Sequence, residues 1–338
     1  MPGAGERAYA YAKACGIIGK SFIGRRMAGL GAVSRLSELD RLVFPGSSRD
    51  LPEKELLSDL EDRLINRAAK SIIAIVDCFS SPPEFLSLLV RSYEYSDLKS
   101  TLTASAAGET KRPAFTDIGR FNRVKFEKWP DIAAMIRGSE FEFLLDKNGN
   151  LKTETGGISL QTQLDRHYYA GLWKSLVSLP KKDKQAAELI LADEISLRNS
   201  SWVLRLRSYY RKPSEEVKSH LLDIQAGKKR SLAQDAYDCL ELPLETRAGW
   251  SSWRWAQFLN PERGGQWQVD PRYFQNAASA YLYRLARKHF RVHPFSLDTV
   301  FCFIKLKQFE EDILTSDAEG LGMGMSSRDV FGLLEVEG

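Results

Sequence analysis

Leu164-Asp165-Arg166-His167-Tyr168-Tyr169 opens the stretch, running to Leu222, from which the rest of the chain is read. Its apolar residues Leu164, Tyr168, Leu172, Leu176 and Leu179 keep the spacing of one helix face, and Pro180 stops the helix. A second helix is predicted from about Asp183 to Lys212, and it carries two apolar stripes rather than one. Leu191, Ile195, Trp202, Leu206 and Tyr209 form the first; Ile190, Leu197 and Leu204 form the second, with Glu194 and Ser201 set into it. A helix apolar on two sides must be covered over most of its surface. Its remaining polar groups, Glu194, Arg198, Asn199 and Arg205, are therefore expected on a narrow face. The breaker Arg211-Lys212-Pro213-Ser214 follows, and Ser214-Glu215-Glu216 heads a short third helix ending near Leu222 with a capping hydroxyl and first-turn acids.

The same plan recurs on both sides. Residues 6 to 41 read as helix broken at Gly16, Gly19 and Gly29-Leu30-Gly31, and Phe44-Pro45-Gly46-Ser47-Ser48 is a loop. From Pro52 to Phe79 a long helix carries Leu56, Leu60, Leu64, Ala68, Ile72, Ile75 and Phe79 on one stripe. After Ser80-Ser81-Pro82-Pro83, a helix with Leu88, Tyr95, Leu98 and Leu102 ends at Ala106-Ala107-Gly108 and bears Glu94, Asp97 and Lys99. Toward the end, Asp270-Pro271 starts a helix with Tyr273, Phe274, Ala277, Tyr281, Leu285 and His289. It breaks at His293-Pro294-Phe295-Ser296, and Leu297, Val300, Phe301, Ile304 and Phe309 follow beside Glu310, Glu311 and Asp312. Ser326-Ser327-Arg328-Asp329 caps a last helix ending at Leu333-Leu334. Between the copies lie irregular segments. In one, Phe141-Glu142-Phe143-Leu144 reads as a short strand or a helix before an Asn148-Gly149 turn. In the other, Gly227-Lys228-Lys229-Arg230 is a loop, and Trp250, Trp253, Trp255 and Trp267 crowd around Gly264-Gly265. Three copies without a strand pattern long enough for a sheet predict an all-α fold of three similar helical domains, 1–115, 116–225 and 226–338.

Composition narrows the class. The 338 residues are 27% charged and 43% hydrophobic, enough for a sizeable core, and the mild net charge of +4, with basic and acidic residues interleaved, favours an acidic partner or proximity to a membrane surface only weakly. No run approaches the roughly 18 apolar residues of a membrane span, and Met1-Pro2-Gly3-Ala4-Gly5 lacks the apolar core of a signal peptide, so a cytoplasmic location is expected. Cys15, Cys78, Cys239 and Cys302 stand far apart with no C-x-x-C pair, the pattern of buried thiols rather than a zinc site or disulfide framework.

Four patterns could carry chemistry. Ala14-Cys15-Gly16-Ile17-Ile18-Gly19-Lys20-Ser21 satisfies the loose phosphate-loop form, in which Lys20 would reach phosphates and Ser21 would hold magnesium. Such a loop follows a buried strand, whereas Glu6 to Lys13 is alanine-rich and helical in pattern. His289 and His293 stand four apart, but Pro294 ends that helix and a third ligand is missing. The tryptophans at 250 to 267 beside Arg247, Arg254 and Arg263 could stack bases; aromatic packing is the competing reading. Glu310 and Glu311 have no partner at a spacing suited to acid and base catalysis. No catalytic, cofactor-binding or metal-ligating residue is therefore expected.

At its helix signatures the chain resembles the C subunit of bacterial and archaeal V/A-type rotary ATPases, a relative of the eukaryotic d subunit. Ala8-Tyr9-Ala10-Tyr11-Ala12-Lys13-Ala14 is similar to that family's opening Y-x-Y-x-x-A. Leu164 to Tyr169 resembles its L-D-[K/R]-x-Y-[F/Y], and Glu194-Ile195-Ser196-Leu197-Arg198-Asn199 its E-[I/V]-D-x-x-N-L, with Ser200 in place of the final leucine. His293-Pro294-Phe295-Ser296 followed by Phe303-Ile304-Lys305-Leu306-Lys307 is similar to its P-[L/F]-S and the next helix. In the third copy Glu311 takes the place of an arginine, and Asp312-Ile313 that of Asn-Leu or Asn-Ile.

The resemblance implies a non-catalytic rotor component in which three pseudo-threefold helical domains form a funnel on the inner face of the cell membrane. Its implied partners are the D and F subunits of the central shaft, the membrane ring of ion-carrying subunits and the membrane component of the stator, with no cofactor and no nucleic acid. Glu94, Lys99, Glu194, Arg198, Asn199, Glu310 and Asp312 are the candidate polar positions around the cavity, with Glu194 and Arg198 expected to pair. The alternatives are a P-loop phosphotransferase using Lys20 and a basic helical nucleic-acid-binding protein.

Overall fold

A computed structural model describes residues 2–152, 159–227, 230–261 and 267–334; Lys228, Lys229, Arg263, Gly264 and Gly265 lie outside the described residues. Its α-helices are α1 (Ala4–Ile18), α2 (Leu36–Val43), α3 (Glu53–Val76), α4 (Glu84–Ala106), α5 (Ile132–Ile136) and α6 (Leu160–Val177), then α7 (Gln185–Ser208), α8 (Ser214–Lys218), α9 (Gln234–Leu240), α10 (Pro271–His289), α11 (Leu297–Gly322) and α12 (Ser327–Leu334). Among the described residues there is no strand, only the isolated bridges Leu145 to Leu151 and Gln225 to Ser231. The fold is all-α.

The chain divides into two compact units that alternate along the sequence. Unit 1 comprises Met1–Leu86, Lys181–Ala187 and Ser279–Gly338; unit 2 comprises Ser87–Pro180 and Glu188–Ala278. Unit 1 is built on α3 and α11, which pack most extensively against each other. The stripe Leu56, Leu60, Leu64, Ala68, Ile72 and Ile75 makes α3 one-sided, and all six residues are buried. Pro52 precedes its first turn, where Glu53 and Glu55 complement the exposed amides. By contrast α11 is apolar nearly all round, through Val300, Phe301, Phe303, Ile304 and Leu306, because α1, α2, α3 and α12 all lie against it. Gly324 in the left-handed region (φ 82°) closes α11, letting the Met325 amide reach back to the Gly320 carbonyl at 2.9 Å. Gly320 also admits α12: a Cβ there would stand 2.3 Å from a Val330 methyl.

The broken helix expected over residues 6–41 resolves into α1, a 3-10 segment Gly24–Ala32 and α2, with the glycines at 29 and 31 inside the 3-10 segment. Phe141–Leu144 lies in a 3-10 helix, Glu140–Leu144, and the Asn148-Gly149 turn joins the Leu145 to Leu151 bridge.

In unit 2 the facing surfaces of α4 and α6 are aromatic: the Tyr95 and Tyr168 ring centroids are 5.0 Å apart, and Leu88 sits against Gly171. The two-stripe reading of α7 holds for Ile190, Leu191, Ile195, Leu197, Leu204 and Leu206, all buried. It fails at Trp202 and Tyr209, which are 38% and 51% exposed. Buried polar residues also lie on α7, two of them with specific partners: Arg254 reaches Asp193 at 2.6 Å, and the Trp255 indole donates to Ser196 at 2.9 Å. Ser214 is the first helical residue of α8 rather than its cap, because Pro213 takes the extended cap position.

Candidate functional site

The helices that follow each break carry buried polar residues whose task is legible from their partners. On α4 in unit 2, Glu94 is fully buried and accepts the backbone amides of Arg123 and Val124, the latter at 2.6 Å, and the Arg91 Nε at 3.3 Å. Those amides belong to an irregular segment that cannot satisfy them internally, and an ionised carboxylate is a strong acceptor for such donors. Asp97 accepts the Thr116 amide at 2.7 Å in the same way. Asn199 on α7 exchanges both of its amide groups with Leu222, taking the N–H at 2.8 Å and giving to the carbonyl at 3.0 Å.

Three of the candidate positions meet around α6. Asp165 is clasped by Lys99 from α4 and by Arg198 from α7, the second at 3.0 Å. The Arg198 guanidinium lies over the Tyr169 ring, 5.3 Å from its centroid, and the Tyr169 hydroxyl donates to Glu194 at 3.3 Å. Glu194 thus joins Arg198 through Tyr169, and Asp165, absent from the sequence expectation, is the hub. Beside it, Arg91 pairs with Glu140, and the Tyr95 hydroxyl gives its single hydrogen to Glu140 at 3.0 Å. His167 Nδ1 lies 2.7 Å from that hydroxyl oxygen. Burial, aided by the Arg91 charge, holds His167 below the usual imidazole range.

Unit 1 repeats the first arrangement. Glu310 on α11 is 1% exposed, accepts the Phe22 amide at 2.7 Å, and pairs with Lys307 and, at 3.2 Å, with Arg67. Burial raises its carboxyl, but the Lys307 and Arg67 charges outweigh that and hold it below the ordinary range. Burial in turn pulls the Lys307 ammonium down. Asp312, two residues on, is exposed. Arg91-Ser92-Tyr93-Glu94 and Lys307-Gln308-Phe309-Glu310 are the same signature, a cation three residues before a glutamate on one helix face. Aligning the copies on their glutamates would have exposed it; Leu191 in the middle copy lacks the charge.

The competing motifs take other roles. Ala14 to Ile18 lies within α1, so those amides are spent on the helix; Lys20 is exposed, and the Ser21 hydroxyl donates to the Ile17 carbonyl at 3.1 Å. This geometry cannot cradle a phosphate. Trp250, Trp253, Trp255 and Trp267 are buried, and their indoles donate to the Pro243 carbonyl, the Asp235 carbonyl, the Ser196 hydroxyl and the Asn260 carbonyl. Their rings are therefore not available to stack bases. Cys239 and Cys302 are buried, with burial pushing the Cys239 thiol up to about 12, but Cys15 and Cys78 are only half-buried. Among the described residues no group of three His, Cys, Asp or Glu side chains could hold a metal ion, and no helix is long and apolar enough to cross a membrane.

A protein of Treponema pallidum (strain Nichols), known as an uncharacterized protein, is 29% identical over 322 residues, covering 94% of this chain and 92% of its own length. Residues 47–330, from just before α3 into α12, match the family described as ATP synthase (C/AC39) subunit. An all-helical chain whose repeated helices spend their buried carboxylates on backbone amides, matched over most of its length, belongs to the ATP synthase (C/AC39) subunit family.

Proposed function

We propose that this chain is a non-catalytic central-stalk component of a V/A-type ATPase or ATP synthase, coupling the D/F shaft to the membrane ring during ion translocation. The observation that carries the reading is the family match across residues 47–330. In this proposal the chain is cytoplasmic and peripheral on the inner face of the membrane, beside the membrane component of the stator. The threefold division at 1–115, 116–225 and 226–338, and the funnel it would make, belong to the same reading. The buried ion clusters suit a part that transmits torque, since a charge held by several partners has few alternative arrangements.

Glu94 and Glu310 are locked within their own units, so the positions offered to a shaft are the more accessible ones, Lys99, Arg198 and above all Asp312. Tagged chain should copurify with the D and F subunits. Asp312→Lys should weaken that association about tenfold, the scale of one lost interface charge pair, with helix content unchanged. Undiminished capture by the variant would move the shaft contact away from α11. Failure of the wild type to capture D and F would end the stalk reading itself.

A further inference from the structure

We propose that unit 1 carries a docking surface for an anionic lipid bilayer, formed by the α10–α11 connection together with Lys181 and Lys182. Val292 and Phe295, three residues apart in a short connection, are 51% and 57% exposed and form a small apolar patch. Around them Lys181, Lys182, Lys288, Arg291 and His293 are all exposed, and none forms a salt bridge among the described residues. The nearby carboxylates are turned inward. Asp183 is buried against Arg7, and Asp298 is buried against the amides of Ala186 at 3.2 Å and Ala187 at 2.9 Å. What faces outward is therefore apolar groups set in positive charge, with both of these acids withdrawn from the surface.

A cavity of about 1090 Å³ opens at the same place, walled by Pro2, Ala4, Ala8, Val292, Pro294 and Phe295. The Arg7 to Asp183 pair crosses its floor, neutralising both charges, and Arg7 also donates to the Phe295 carbonyl at 3.3 Å, fixing the loop to α1. Two apolar tips on a loop held in place, ringed by cations, match a headgroup layer: apolar side chains enter the acyl boundary while lysine and arginine lie over phosphates.

The proposal rests on the peripheral placement given above but not on shaft binding. It is tested by flotation of the full chain with vesicles of phosphatidylcholine alone and of phosphatidylcholine with phosphatidylglycerol. Binding is expected to the anionic vesicles only and to weaken with salt. Lys181→Glu with Lys182→Glu should lower it at least about twentyfold, and Phe295→Ser about tenfold. Arg41→Glu with Lys54→Glu, exposed positions of unit 1 outside this surface, should stay close to wild type. Circular dichroism of each variant checks that the fold is intact. No binding to anionic vesicles, equal binding to neutral ones, or indifference to the Lys181, Lys182 and Phe295 changes would overturn the proposal. The Lys181 and Lys182 variant should still capture D and F, and Asp312→Lys should still float, so the two readings fail separately.

Discussion

In unit 1 Glu310 faces two cations, Lys307 and Arg67, and takes one backbone amide; in unit 2 Glu94 faces one cation, Arg91, and takes two. Arg91 has a second anion in Glu140, whose side chain is 31% exposed, whereas the Lys307 and Glu310 side chains are almost fully buried and face each other. The same signature is thus wired differently. In unit 1 the carboxylate serves chiefly as a counter-charge, and in unit 2 chiefly as an acceptor for an irregular segment.

Substitution by glutamine, which keeps an acceptor and removes the charge, separates these roles. Glu310→Gln takes the shared anion from two cations and should cost roughly 3–5 kcal/mol in denaturant unfolding. Glu94→Gln, with Arg91 still paired to Glu140, should cost only about 1–2 kcal/mol. Equal losses would erase the distinction.

A second contrast lies in a carboxylate that has no cation beside it among the described residues. Asp317 on α11 is fully buried, and burial pushes it up to about 6, which the Ser327 hydroxyl offsets only in part. Its folded-state value lies above the unfolded one, so the stability it allows in acid is lost as pH rises through about 6. Asp317→Asn should therefore raise the unfolding free energy at neutral pH by up to about 3 kcal/mol, and the gain should vanish near pH 4. A gain that is the same at both pH values would show that packing rather than charge is responsible.

The smallest effect belongs to unit 2. His167 has a folded-state value below the ordinary one, so its contribution is present above roughly pH 6.5 and is lost as pH falls further. His167→Gln should make the melting temperature less steeply dependent on pH between neutral and mildly acid conditions. An unchanged slope would place the acid sensitivity elsewhere, with His289, likewise lowered by burial, as the group to replace next.

Helices were legible wherever an apolar run met a clear breaker: α3, α4, α6 and α11 fall close to the limits set by Pro52, Gly108, Pro180 and Pro294. What periodicity could not supply was partnership. Trp202 and Tyr209 keep the spacing of a buried stripe, yet their exposure depends on which neighbours arrive, and the burial of Asp193 depends on Arg254, some sixty residues away. Asp165 stands in one of the family-like motifs, but its role as the meeting point of Lys99 and Arg198 arises only when three helices are in place. The cation before each glutamate is present in the sequence but lies outside the apolar spacing by which the first and third copies align.

The alternation of the two units along the chain has a consequence for synthesis. Everything in unit 2 has left the ribosome before Ser279, whereas α3 emerges early and its chief partner, α11, nearly last. At about 5–20 residues per second the interval is on the order of 10–40 s. Throughout it the row Leu56, Leu60, Leu64, Ile72 and Ile75 lacks the surface it is built to meet, and a nascent chain in that condition is a natural client for a chaperone.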